Sequence, residues 1–119
     1  MELLYAKILV VLIIFFGESL TILAEMIAAR TFSIASHSFL DMFIKMFLIF
    51  AFAGGALIFG YMFGFISFKN IWIVSVISIT SILISEPILA YVFFQQLPTS
   101  GALIGLIFGV LGFVSTMFF

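Results

Sequence analysis

Residues 3–29 read LLYAKILVVLIIFFGESLTILAEMIAA, a run in which only Lys7, Glu18 and Glu25 carry charge. A helix that crosses the hydrocarbon core of a bilayer needs about 20 mostly apolar residues, and this run is long enough. Its apolar residues are continuous, whereas the strands of a membrane barrel alternate apolar and polar residues. The run is too long for a signal peptide, and no small-residue cleavage site follows it, so we expect it to be retained. It predicts a transmembrane α-helix.

The whole chain shares this composition. Of its 119 residues, 66% are hydrophobic and 8% are charged, and the mean hydropathy is +1.52. A soluble domain is about a quarter charged, so a water-soluble fold could not cover its surface with so few polar groups. The length leaves room for one compact unit, and we expect a single transmembrane domain over residues 1–119.

Three further apolar runs follow, separated by short polar stretches. Ser38 followed by Asp41 is typical of a capping box, which places the start of the second helix near Phe39. Lys69 and Asn70 mark the next turn, and residues 98–100 mark the last. The predicted fold is an all-α, integral membrane four-helix bundle with short loops between antiparallel neighbours. Its helices are expected at 3–29, 39–64, 71–94 and 101–119.

The composition excludes several classes of function. A net charge of -1 provides no basic surface for nucleic acid. The chain has no cysteine and one histidine, His37 in the first loop, so we expect neither a metal nor a cofactor. It contains no nucleophile elbow, P-loop or HExxH motif, and we therefore expect that it is not an enzyme.

Two carboxylates in the first helix are the main functional candidates. Glu18 and Glu25 are seven residues apart, which puts them on one face two turns apart, with Thr21 between them. Carboxylates inside a membrane are costly to bury and by default indicate function. Because a low dielectric disfavours the charged form, such a group can hold a proton near neutral pH and release it when a cation arrives. A structural alternative is an interhelical hydrogen bond, or an ion pair with Lys45 or Arg30.

The third helix adds Glu86, directly before Pro87. A proline inside a helix frees a carbonyl and kinks the helix, so the pair can line a cavity, although a kink that only shapes packing is the alternative. Serines on one face of this helix suit either a polar pathway or close helix packing; they are Ser75, Ser78, Ser81 and Ser85. The candidate substrate- and proton-binding residues are thus Glu25, Glu18, Thr21, Glu86 and Ser78.

The fourth helix carries a glycine ridge, which consists of Gly101, Gly105, Gly109 and Gly112. Small residues at this spacing let helix backbones approach closely, and we assign the ridge to packing, with a homodimer interface as its use between subunits. The four Lys and Arg residues divide two against two between the sides of the membrane, so the positive-inside rule sets no orientation. Either a partner fixes the orientation or the chain inserts both ways.

Two segments carry a family resemblance. ILAEMIA at residues 22–28 resembles the first-helix signature of the small multidrug resistance transporters. SEPILAYVFFQQLPTSGALIGLIFGVLGF at residues 85–113 is similar to the last two helices of the drug/metabolite transporter superfamily. The resemblance implies an antiparallel, dual-topology homodimer whose paired helix 1 glutamates bind either protons or a cationic substrate. It assigns that role to Glu25.

The chain also departs from the family pattern. Extra residues precede Glu25, and Glu18 is an additional carboxylate. Ile77, Ser78 and Ile79 lie where the family has a substrate-stacking aromatic residue in the third helix. These differences argue against drug polyspecificity and leave a small polar or lipid-linked substrate open.

We therefore expect a proton-coupled secondary transporter, an exporter of a cationic or small polar compound that works as a dimer in lipid. We expect it in the cell (inner) membrane of a prokaryote. The alternative is a non-transporting small transmembrane subunit of a larger membrane complex, whose buried glutamates only join helices. A transporter needs the carboxylates on a polar cavity, whereas a subunit of that kind buries them against a partner.

Overall fold

A computed structural model describes residues 2–34 and 38–119, and the loop position expected for His37 lies outside these ranges. The described residues form four helices and no strand, which confirms the all-α fold. The helices are α1 (Glu2–Ile34), α2 (Phe39–Phe68), α3 (Ile71–Phe94) and α4 (Ser100–Phe118).

Three of the helices are long and apolar enough to cross a membrane. These are α1, α2 and α3, whose most apolar stretches have mean hydropathies between 2.0 and 2.2. The chain is therefore a membrane-embedded helical protein. The fourth helix has 19 residues. At 1.5 Å per residue it is about 28 Å long, close to the thickness of the hydrocarbon core, and its crossing of the membrane stays a prediction.

The first helix is longer than predicted. It continues past Ala29 and ends at Ile34, so the expected end at Arg30 is wrong. No glycine or proline interrupts residues 30–34, and polar residues alone do not break a helix. The hydroxyl of Ser33 donates a hydrogen bond to the carbonyl of Arg30 at 2.8 Å, which keeps the side chain on the helix surface.

The second helix also extends beyond its predicted end. Gly64 lies inside it, and the helix closes at Phe68, where Lys69 takes up the left-handed conformation with φ of 59°. The backbone N–H of Lys69 then donates to the carbonyl of Phe65 at 2.8 Å. The turn at Lys69 was predicted, but the helix continues through residues 65–68 up to that turn instead of ending at residue 64.

The predicted helix starts are confirmed by their caps. Ser38 accepts a hydrogen bond from the backbone N–H of Asp41 at 3.4 Å, and Asp41 pairs with Lys45 at 3.0 Å. Asn70 accepts from the backbone N–H of Trp72 at 2.9 Å, and α3 has the predicted bounds. Each of these side chains satisfies a backbone donor that the first turn of a helix leaves free.

Glycines of α2 let it approach α1 closely. A Cβ added at Gly60 would lie 2.7 Å from Cγ1 of Ile14, which is completely buried. A Cβ at Gly64 would lie 3.1 Å from side-chain atoms of both Val10 and Val74. Val10, Ile14 and Val74 form the core of the bundle, so α1 lies between α2 and α3 and contacts both.

The fourth helix packs on α3 alone among the described helices. Of its glycine ridge, only Gly109 faces a neighbour, since a Cβ there would lie 3.1 Å from Cδ2 of Leu83. The other three ridge positions meet open space within one chain; they are Gly101, Gly105 and Gly112. Packing within the chain therefore uses one ridge position, and the use of the ridge between subunits stays a prediction.

Gly60→Ala should destabilise the bundle by about 1–3 kcal/mol, because the added methyl overlaps the buried Ile14 side chain. Gly54→Ala is the matched control, since a Cβ at Gly54 meets nothing within 4 Å. Thermal unfolding in detergent micelles, followed by circular dichroism, measures both variants. Equal unfolding midpoints for the two variants would show that the close approach at Gly60 does not limit stability.

Candidate functional site

Polar side chains join α1 to α3. Ser78, Ser81 and Ser85 share one face of α3 and are all buried, at 6%, 4% and 5% exposure. The hydroxyl of Ser78 donates to Oε1 of Glu18 at 2.5 Å, and the hydroxyl oxygens of Ser19 and Ser85 are 2.6 Å apart. We call these three residues the serine stripe (Ser78, Ser81, Ser85). The stripe therefore serves close packing, and it also places hydroxyls beside a carboxylate.

Thr21 is buried at the same interface but does not bind the carboxylate of Glu18. Its hydroxyl donates to the backbone carbonyl of Glu18 at 2.7 Å. Ser81 behaves in the same way, donating to the carbonyl of Ile77 at 2.8 Å. Since each hydroxyl already donates its one hydrogen bond to its own helix, both can only accept a further hydrogen bond.

Glu25 lies on the same face of α1 as Glu18, about 10 Å further along the helix axis. Its side chain is exposed in the single chain, whereas Glu18 and Glu86 are half-buried. The charges of Glu18 and Glu86 both act on Glu25 through space. Glu18 and Glu86 thus lie close enough to Glu25 for their charges to act on it, and we call the three side chains the carboxylate row (Glu18, Glu25, Glu86).

Glu86 and Pro87 line a cavity of about 560 Å³ between α3 and α4. The cavity runs along α3 to Phe94, over the connector to α4, and along α4 to Leu106. The proline lies inside α3, and the cavity begins beside it. The structure therefore places Glu86 on a cavity, while Glu18 and Ser78 lie in the packed interface between α1 and α3.

No basic side chain forms an ion pair with the carboxylate row. Lys45 pairs with Asp41, both of them largely exposed, and this is the one ion pair among the side chains that the structure describes. Lys7 lies 5.4 Å from the ring centroid of Phe68. The alternative of an ion pair between an α1 glutamate and Lys45 or Arg30 is therefore not observed among these side chains. The described part of the chain also contains no cluster of metal-ligating side chains.

Sequence reasoning missed two parts of this arrangement. Ser19 was not singled out, although it follows Glu18 directly and its hydroxyl meets Ser85. Tyr91 and Gln96 line the cavity beside Glu86, and only their nearness to Pro87 along the chain indicated a shared environment. No local sequence pattern indicates either the Ser19–Ser85 contact or the set of residues that lines the cavity, since both depend on how two helices are rotated against each other.

Comparisons of the chain with protein-family models, with curated proteins and with solved structures found no match. The transporter resemblance stated above therefore stays an expectation.

The hydrogen bond between Ser78 and Glu18 should be measurable as a coupling between the two side chains. A double-mutant cycle with Ser78→Ala and Glu18→Ala should give a coupling free energy of about 0.6–1.7 kcal/mol, the range of hydrogen bonds between membrane helices. Unfolding in mixed micelles gives the free energies of unfolding of the wild type, the two single variants and the double variant. Ser75→Ala, a half-buried position on the same helix, is the control and should show no coupling to Glu18. A coupling as large for Ser75 as for Ser78 would contradict the contact.

Proposed function

We propose that the chain is a proton-coupled secondary transporter that exports a cationic or small polar compound and works as a dimer. The observation that carries this proposal is the carboxylate row. The charges of Glu18 and Glu86 act on Glu25, and all three residues lie in helices that are long and apolar enough to cross a membrane. None of them has a basic partner within the described residues. Intramembrane carboxylates of this kind typically belong to proton or substrate pathways.

Glu25 is the member of the row that we assign to proton and substrate binding. Its exposure in the single chain leaves it open to a ligand, and lipid alone cannot accommodate its charge. In the protonated form the carboxyl is neutral. When a cation arrives, the carboxyl gives up its proton to water and the carboxylate pairs with the cation. One site then carries either a proton or the substrate, which is the minimum that antiport requires.

Glu18 would act as a second carboxyl in the same pathway. Its hydrogen bond to Ser78 fixes its orientation toward α3. Movement of α3 relative to α1 would break or remake this bond, so the position of α3 and the state of Glu18 would be linked. Thr21, whose hydroxyl lies between the two α1 carboxylates, can still accept a hydrogen bond from a substrate or a water molecule.

The proposal includes a second copy of the chain. One copy of the chain leaves the side chain of Glu25 exposed, so a single chain does not enclose a substrate bound there. A partner that covers Glu25 would supply the missing wall, and the three open positions of the glycine ridge suit close contact between helices. The undecided charge count supports an antiparallel pair in the cell membrane of a prokaryote.

The same exposure of Glu25 supports the alternative function. In a larger membrane complex, a different protein would cover Glu25 with a backbone or side-chain partner. The chain would then be a non-transporting subunit, and its glutamates would only join helices. The two functions differ in what the carboxyl must do, since a subunit needs the hydrogen bond whereas a transporter needs the exchangeable proton.

Glu25→Gln should abolish cation-driven proton release, because the amide has no proton to exchange. The measurement follows the pH of purified protein in weakly buffered detergent solution. Quaternary ammonium ions, from tetramethylammonium through to tetrabutylammonium, are added one at a time, and these ions carry no ionisable proton of their own. Glu18→Gln should shift the pH dependence of proton release without removing it. Circular dichroism should show unchanged helix content for both variants.

The subunit function makes the reverse prediction. There Glu25→Gln keeps the hydrogen bond and is tolerated, whereas Glu25→Leu destabilises the protein by about 1–2 kcal/mol. Normal proton release from Glu25→Gln, or no release from the wild type with any of these cations, would reject the transport mechanism.

Dual insertion can be tested at the chain ends. The chain has no native cysteine, so Leu3→Cys and Phe119→Cys each provide a single label site. If the chain inserts both ways, a membrane-impermeant maleimide should label about half of each variant in intact cells, because the positive-inside rule sets no preference. Permeabilised cells give the full labelling for comparison. Labelling of the whole population from one side only would exclude an antiparallel pair made by dual insertion.

A further inference from the structure

The cavity between α3 and α4 has the size of a ligand site. Its volume of about 560 Å³ falls within the range of roughly 300–1,000 Å³ that small-molecule pockets occupy. Tyr91 and Leu97 on its rim are 55% and 80% exposed. Because α4 contacts no helix but α3, the chain leaves the outer side of the cavity open to the bilayer. A ligand could therefore enter sideways from the lipid.

The charge of the cavity selects the ligand. Glu86 is the only charged residue among those that line it. Glu86 lies eight residues before the end of α3, which is about 12 Å below that end. The one ion pair in the described ranges joins Lys45 and Asp41, so Glu86 has no basic partner there. A carboxylate at this depth needs a partner, and a cationic ligand would supply one.

The other polar groups in the cavity narrow the kind of cation. Tyr91 and Gln96 line the cavity together with Glu86, and their side chains carry a hydroxyl oxygen and an amide oxygen that can accept hydrogen bonds. A primary ammonium has three N–H donors, which can serve three acceptors, whereas a quaternary ammonium has none. The remaining wall is apolar and includes Ala90, Ala102 and Leu106, which suits an alkyl chain.

We propose that this cavity binds an amphiphile with a primary ammonium head and an alkyl chain, taken laterally from the bilayer. Glu86 pairs with the ammonium group, and the alkyl chain lies between α3 and α4. The inference goes beyond the proposed function, because binding in this cavity requires no proton exchange at Glu25.

Octylammonium is the probe, with octyltrimethylammonium as the quaternary comparison of equal chain length. Calorimetric titration uses the full chain in phosphatidylcholine nanodiscs, and empty nanodiscs measure partition into lipid. The wild type should bind octylammonium saturably, at one per chain. Octyltrimethylammonium, and octylammonium with Glu86→Gln, should each bind roughly tenfold more weakly, because charge-assisted hydrogen bonds are lost.

A second pair of variants separates the cavity from the charge. Gly105→Leu fills the cavity without touching Glu86, and a Cβ at Gly105 meets nothing within 4 Å. It should weaken octylammonium binding as much as Glu86→Gln does. Gly55→Leu is the control, because Gly55 is exposed on α2, lies outside the cavity, and a Cβ there also meets nothing within 4 Å. It should bind like the wild type.

Several results would overturn the proposal. These are equal affinity for the two amphiphiles, unchanged binding in Glu86→Gln or Gly105→Leu, and an equal loss of binding in Gly55→Leu. The proposal would also fail if the binding heat of the protein in nanodiscs equalled that of empty nanodiscs. In that case, disulfide formation between copies carrying Gly105→Cys would identify a second chain as the occupant of the cavity. Saturable binding without cation-driven proton release would reject the proposed transport and leave this site standing.

Discussion

The close approach of α1 and α2 at Gly60 and Gly64 is the contact on which the rest of the bundle depends. Lipid surrounds the helices, so burying apolar surface gives little advantage, and association rests on close packing. The two glycines admit Ile14 and Val10 to the backbone of α2. With α1 held there, its opposite side is fixed against α3, and Val74 completes the core.

This arrangement also determines which polar groups of α1 are paired. The face that turns toward α3 carries Ser19 and Glu18, and both find a serine there. Glu25 lies on the same side but reaches the surface of the single chain. The bundle is therefore polar along part of the interface between α1 and α3, and it leaves a carboxylate exposed at one edge, which a purely lipid environment does not satisfy. Any function assigned to the chain has to account for what completes that edge.

The helices could be predicted from the sequence because their signals are local. Ser38 and Asn70 are cap residues, and each precedes an apolar run long enough to cross a membrane. The end of α1 was missed because Arg30 is a good helix former, so a charged residue marked the expected membrane boundary without ending the helix. The helix ends and the membrane edges are set by different physical causes, and they need not coincide.

The spacing of residues predicted part of the arrangement around the carboxylates, but not the contacts between helices. The spacing of residues shows which side chains share a face, and it correctly grouped Ser78, Ser81 and Ser85. It does not show which face a neighbour covers. Glu18 and Ser78 are 60 residues apart in the chain, and their contact depends on the rotation of two helices about their axes. For the same reason, spacing alone favoured the glycines of α4 for close packing, whereas only Gly109 of that ridge meets a neighbour and the closest approach is at Gly60 of α2.

The attachment of α4 to α3 alone has a consequence for how the chain assembles. All packing among α1, α2 and α3 lies within the first 94 residues, and α4 adds contacts only to a helix that is already in place. The three-helix unit can therefore form during synthesis before α4 packs against it. Because α4 contacts one helix only, we expect it to open at a lower free energy than the other helices, and its backbone amides should exchange with solvent deuterium first.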